Sequence, residues 1–227
     1  MSKREKNNSL VTIGIWMGIF VVTIAVVAGL AIASQKKSEV DSDKNSTALS
    51  ESITAQDHVR GNPMSRITLV EYSDFQCPAC GAYYPLLKQL DGEYGNRIQT
   101  VYRNFPLVQI HKHALLAAQA AEAAGKQGKF YEMHDLLFEH QTEWPEAANV
   151  KDTLLSYADQ LKLDRAQFEK DLNSSDVQGK IDADQKSGNR SGIQGTPTFF
   201  LNGVKIDSPR SYDEFKQTID KALSEGT

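Results

Sequence analysis

Cysteine is nearly absent from this sequence: its 227 residues contain only two, Cys77 and Cys80, separated by two residues. So close a pair excludes a disulfide-stapled scaffold, because a bridge closing so short a loop removes little entropy from the unfolded chain. A structural zinc centre needs four ligands, yet there is no second C-x-x-C, and His58, His111, His113, His134 and His140 lack the spacing that would complete one. Each histidine is expected at the surface or in the core, and no metal is expected. Basic clusters are missing too. With a formal charge of −4 and no lysine or arginine run interleaved with aromatics, the chain has no footprint for nucleic acid.

Charge itself is missing from residues 10–33, LVTIGIWMGIFVVTIAVVAGLAIA. As a helix this run would extend roughly 36 Å, enough to cross a bilayer. A core helix would be shorter and would carry a polar stripe. Ala31-Ile32-Ala33 has the small residues of a signal cleavage site, but the apolar run exceeds the roughly 7 to 15 residues of a signal h-region. An uncleaved signal anchor is therefore expected. Lys3, Arg4 and Lys6 before it, against Lys36 and Lys37 after it, narrowly favour a cytoplasmic N-terminus at residues 1–9. Residues 34–57 hold few large apolar side chains and are expected to form a flexible linker. Alternatively, the stretch from Ile53 to Val59 adds an edge strand to the domain that follows.

That domain is assigned to residues 58–227. The β-branched run ITLVEY at 67–72 lies between Gly61-Asn62-Pro63 and Ser73-Asp74 and predicts a strand. Residues 78–94 carry Tyr83, Leu86, Leu87 and Leu90 at helical spacing, interrupted by Pro85, where a kink or break is expected. A second strand follows at 98–103, with a crossover long enough for parallel pairing. Nearly everything from Lys112 to Gly188 is patterned as helix, and Asp164 with Gln167 forms a capping box. Two short strands around Asn202-Gly203 make a hairpin signal. A last helix begins at Ser211, with Glu214 three residues on.

The two cysteines stand at the start of the first of these helices. A thiolate at Cys77 would lie at the positive end of the helix dipole near free backbone amides, which lowers its pKa below the free value of about 8.5. Pro78 suits the first helical position. Cys77 is expected to be the exposed, attacked sulfur and Cys80, a turn further in, the resolving one. Glu71, an acid within an apolar strand, either faces solvent or sits beneath the sulfurs as a proton acceptor with a raised pKa. Pro197 begins a strand where no ladder donor is needed; base rates alone make its peptide bond trans.

The strand followed by FQCPAC (75–80), RNFPL (103–107), GKF (128–130) within the helical stretch, and GTPTFFLNG (195–203) together resemble the DsbA-like family of thioredoxin-fold thiol:disulfide oxidoreductases. The resemblance covers about residues 59–223. It implies an α/β thioredoxin fold with a helical insertion at about 108–190; the apolar run at 10–33 places one N-terminal transmembrane helix before it. It also implies that Pro197 is cis beside the disulfide, that the Thr196 backbone pairs with a substrate strand, and that Glu71 is the acid under the site, with Pro78 and Ala79 flanking the substrate. No cofactor is implied beyond a Cys77–Cys80 redox-active disulfide.

The expected function is a membrane-anchored, extracytoplasmic protein-disulfide oxidoreductase that introduces disulfides into unfolded secreted or envelope proteins. The resemblance also implies a quinone-linked membrane thiol oxidase that reoxidises it. Two alternatives stand beside this: a reductase on the same scaffold, and a tethered module that binds peptide or metal without turnover. The Pro78-Ala79 dipeptide lacks the histidine of strongly oxidising relatives, which points to a milder oxidant.

Overall fold

The computed structural model describes residues 48–225. The apolar run at 10–33 and most of the expected linker lie outside these residues; among the described residues no helix is long and apolar enough to cross a membrane.

Five strands form one sheet: β1 (His58–Gly61), β2 (Thr68–Ser73), β3 (Gln99–Asn104), β4 (Thr198–Leu201) and β5 (Val204–Ile206), in the order β1-β3-β2-β4-β5. β2 and β3 run parallel, joined by helix α1 (Pro78–Tyr94), while the other pairs are antiparallel. Between β3 and β4 come α2 (Ala114–Gly125), α3 (Phe130–Glu139), a 3-10 turn (Trp144–Glu146), α4 (Val150–Gln160), α5 (Arg165–Asp171) and α6 (Ser175–Arg190); α7 (Tyr212–Glu225) ends the described chain.

β2 is covered on both faces, which is why its sequence reads as an almost unbroken apolar run. Leu69 packs with Leu90 and Tyr94 of α1 and Phe215 and Ile219 of α7. Val70 and Tyr72 point the other way, against Val101, Phe105 and Phe200. The two-residue period of a strand puts Glu71 on the Leu69 face, toward α1. The helical insertion has its own core around Met133, Leu137, Trp144, Leu154 and Phe168, which continues without a break into Phe75, Cys77 and Cys80. α1 runs on through Pro85, whose missing N–H leaves the Gly81 carbonyl without its usual helical donor.

The expected linker ends earlier than composition suggested. Residues 48–57 lie against the domain rather than forming part of a tether: Leu49 and Ile53 pack beside Val70 and Tyr72, and Ser50 donates from its backbone N–H to Ser191 Oγ at 2.9 Å. The physical reason is Arg103, only 2% exposed. A buried guanidinium must be fully hydrogen-bonded, and here it donates to both oxygens of Asp57 at 2.8 and 3.0 Å, to the carbonyls of Glu51 and Ser52, and to Tyr72 Oη. The edge strand anticipated between Ile53 and Val59 is β1, pairing with β3 from His58 onward.

Candidate active site

Cys77 is the N-cap of α1, with extended backbone (φ −72°, ψ 119°), and Pro78 opens the helix behind it. The first amides of a helix have no intrahelical acceptor, so they are free to face the Cys77 sulfur. Neither cysteine is in a disulfide. Cys77 is buried, at 7% exposed, rather than open as expected, because the core of the helical insertion reaches it. The two sulfurs still differ sharply. Cys77 is lowered to about 5, chiefly by hydrogen bonding from the Cys80 thiol; burial works against this, while the Thr196 side chain and the amides of Cys80 and Ala79 add to it. Cys80, 1% exposed, is pushed far up by burial, then by the hydrogen bond it donates to Cys77 and by the charges of Glu71 and Cys77. The pair is thus asymmetric: Cys77 ionises readily, and Cys80 holds its proton.

The other side of the site comes from the loop before β4. The Thr196–Pro197 peptide bond is cis, as the resemblance implied and base rates did not. The Thr196 carbonyl accepts from Cys77 Sγ at 3.5 Å, and Thr198 Oγ1 donates to the Gly195 carbonyl at 2.8 Å, closing the turn. Tyr72 pairs with Thr198, so Pro197 lies just past the end of the β2–β4 ladder, where its lack of an N–H costs nothing. Pro78 and Ala79 are exposed, forming the shoulder of the site.

Glu71 takes the buried of its two expected positions. Burial raises its carboxyl to about 7, with the charges of Asp91 and Cys77 adding to the rise and the Ser73 hydroxyl opposing it. It lines a cavity of about 30 Å³ together with Arg60, Lys88, Asp91, Tyr102, Tyr131 and His134. That is room for a water. The Tyr102 hydroxyl, also on the cavity wall, is buried without a hydrogen-bond partner.

Two residues that hold the site had not been singled out from the sequence. Asp74, fully buried, accepts from the backbone N–H of Gln76 (2.7 Å) and of Leu107 (2.8 Å) and hydrogen-bonds His111 Nδ1 (2.7 Å). It thereby ties the cysteine loop to the segment after β3. Gln141, from the turn after α3, donates through Nε2 to the carbonyls of Phe75 and Cys77, both at 2.9 Å. Asp74 is adjacent to the motif and could have been suspected as an Asx-turn residue. Gln141 lies 64 residues away from Cys77, and no local pattern announces it. Among the described residues no group of three or more His, Cys, Asp or Glu side chains is placed to hold a metal ion.

This arrangement has relatives. The profile of the family described as Thioredoxin matches residues 53–221. BdbD from Bacillus subtilis, in its oxidised form, superposes with a TM-score of 0.68 at 26% identity, over 79% of this chain and 98% of that one. The chain belongs to the thioredoxin family. Wolbachia pipientis alpha-DsbA1 shares the DsbA-like fold with a TM-score of 0.67 at 22% identity, over 76% of this chain and 94% of that one. A Na(+)/H(+) antiporter NhaA 3 from Salinispora tropica is 40% identical over 169 residues, which make up 74% of this chain and 25% of that protein. The chain thus spans about a quarter of the length of the curated relatives it matches.

Proposed function

We propose that this thiol:disulfide oxidoreductase is membrane-anchored, faces outside the cytoplasm and works mainly by introducing disulfides into unfolded secreted or envelope proteins. The observation that carries the reading is the asymmetry of the cysteine pair above a buried acid. In the oxidised enzyme a substrate thiolate attacks Cys77 Sγ. The Cys77–Cys80 bond breaks, a substrate–Cys77 disulfide forms, and Cys80 leaves as a thiolate that takes the proton of the Glu71 carboxyl. A second substrate thiolate then attacks the substrate sulfur and displaces Cys77 as a thiolate. Two electrons have passed to the enzyme, and the substrate holds a new disulfide.

The direction follows from the leaving group. A Cys77 held near 5 leaves as a stable anion at neutral pH, which favours the reduced enzyme and therefore oxidation of the substrate. Two features support an unfolded polypeptide as substrate: the exposed shoulder of Pro78 and Ala79, and the exposed Val108 and Ile110 on the loop anchored by Asp74. The charge-free run at 10–33 supports the anchor, and disulfides persist outside the cytoplasm. A quinone-linked membrane thiol oxidase would accept the electrons, and anchoring would raise its effective concentration around the enzyme.

The deciding experiment equilibrates the full chain with glutathione redox buffers and follows turnover of a reduced, unfolded substrate. A potential well above the value of about −270 mV typical of thioredoxin, with oxidative turnover, is expected. A potential at or below that value would make the protein a reductase. Cysteine labelling of the domain in intact cells with an impermeant reagent tests its side of the membrane.

A further inference from the structure

The cavity lined by Glu71, whose charge acts on Cys80, holds a second carboxylate. From β2 comes Glu71; from α1 come Lys88 and Asp91; from β1, Arg60; from β3, Tyr102; and from α3, Tyr131 and His134. The tyrosines are raised by burial and stay protonated, and His134 is lowered by burial and stays neutral. Lys88 is committed elsewhere, donating to Glu139 at 2.6 Å and Tyr84 Oη at 2.9 Å. The charges left facing the cavity are therefore Glu71, Asp91 and Arg60.

Asp91 is held firmly. Its Oδ1 accepts from Thr100 Oγ1 at 2.9 Å, and its Oδ2 meets Arg60 Nη1 at 3.5 Å, while the same guanidinium donates to Asp135 at 2.9 Å. Arg60 is thus shared between two carboxylates and neutralises Asp91 incompletely. The Asp91 side chain is 15% exposed and Arg60 23% exposed, so this end of the cavity opens toward solvent.

We propose that Asp91 is a positioning residue for Glu71: its charge, balanced by Arg60, sets how strongly Glu71 holds a proton, and a water between the two carboxylates links Cys80 to solvent. The inference rests on the dithiol chemistry proposed above. When Cys80 leaves as a thiolate it takes the Glu71 proton, and Glu71 is reprotonated from solvent at the Asp91 end. When Cys80 attacks a mixed disulfide during reoxidation, its thiol proton passes to Glu71 and leaves by the same route. The unpartnered Tyr102 hydroxyl on the cavity wall is a further polar group suited to hold that water.

The test is an NMR titration of the Glu71 carboxyl in the reduced full chain. In Asp91→Asn, which keeps an acceptor for Thr100 but removes the charge, the Glu71 midpoint moves down by about half a pH unit or more. In Arg60→Gln, which removes the cation facing the cavity, it moves up. Asp91→Glu retains a charge and a raised midpoint. A merely structural role would not give shifts of opposite sign. An unchanged Glu71 midpoint in a folded Asp91→Asn, with an unchanged acid limb of the exchange rate, overturns the inference; if that variant does not fold, an Arg60→Gln midpoint that stays or falls does so. Failure of the parent chain to exchange disulfides would overturn the oxidoreductase reading instead, and the Glu71 midpoint would still decide whether Asp91 sets it.

Discussion

The Gln141 side chain donates to the Cys77 carbonyl at 2.9 Å, fastening the helical insertion to the N-terminus of the helix that bears the reactive sulfur. The contact requires a glycine opposite: a Cβ on Gly81 would stand 2.0 Å from Gln141 Oε1. Gly81 lies inside α1, where alanine would otherwise be the better residue by up to about 1 kcal/mol. The two hydrogen bonds from Gln141 are together worth about 1 to 3 kcal/mol. Gly81→Ala is therefore expected to destabilise the parent protein by displacing Gln141, yet to stabilise the Gln141→Ala variant. Denaturant unfolding of the four proteins checks this, and simple additivity of the two substitutions would contradict it.

Ionisation of Cys77 makes the stability of the reduced form depend on pH. Its folded value, about 5, lies below the unfolded one, so the stabilisation is complete above the unfolded pKa and is lost as pH falls through about 5. The oxidised form has no such titration. The stability of the reduced protein relative to the oxidised protein should rise steadily from about pH 5 to about pH 9. Cys77 alkylation should follow the same midpoint, and Cys80→Ala, which removes the main donor to the thiolate, should raise it. An alkylation midpoint near 8.5 in the parent would refute the thiolate assignment.

Much of the fold was legible because its elements obey local rules. The strand expected at 67–72 is Thr68–Ser73, and the helix that follows occupies Pro78–Tyr94. The box at Asp164 closes as expected, with Gln167 N–H donating to Asp164 Oδ1 at 3.0 Å. At the last helix Glu214 N–H donates to Ser211 Oγ, but the Glu214 carboxylate reaches back to Arg210 N–H rather than to that of Ser211. Glu71 was undecided because period two places it on one face of β2 without saying what covers that face. The docked stretch 48–57 was misjudged for a similar reason: composition registers Leu49 and Ile53 as sparse, but not the buried Arg103 that collects the carbonyls beside them. Asp91 and Gln141 depend on contacts between distant elements, which no window of sequence contains.

Arg103 offers a direct measure of what the docked segment contributes. Truncating one partner of a buried, multiply bonded ion pair leaves an uncompensated charge and typically costs about 3 to 5 kcal/mol. Arg103→Met is expected to cost this much, because it strands the Asp57 carboxylate and two carbonyls. Asp57→Asn should cost less, since the amide oxygen can still accept. The Asp57 carboxyl lies below its ordinary range through its hydrogen bonds and charge pairing with Arg103, which outweigh burial, the largest single influence. Its contribution is therefore present at neutral pH and disappears as pH falls through that lowered value. Limited proteolysis should cut residues 48–57 quickly in Arg103→Met, and equal protection in variant and parent would show that the segment is held by Leu49 and Ile53 alone.

The buried Glu71 should behave oppositely to Cys77. Its folded value, about 7, stands above the ordinary 4.5, so whatever it contributes is complete below about 4.5 and is lost as pH rises through 7, where a charge must be kept in the core. Glu71→Gln removes that charge while keeping the shape. It is expected to stabilise the protein at pH 8 by on the order of 2 kcal/mol, with little effect at pH 5. The same substitution takes away the proton acceptor of Cys80, so thiol exchange should slow at least tenfold and lose its inflection near pH 7. Stability and rate thus move in opposite directions in one variant, a combination expected of a strained catalytic acid and not of a packing residue. Chemical unfolding at the two pH values, with stopped-flow exchange on the same preparations, measures both. A variant that is no more stable at pH 8 and exchanges at the parent rate would return Glu71 to an ordinary buried polar residue.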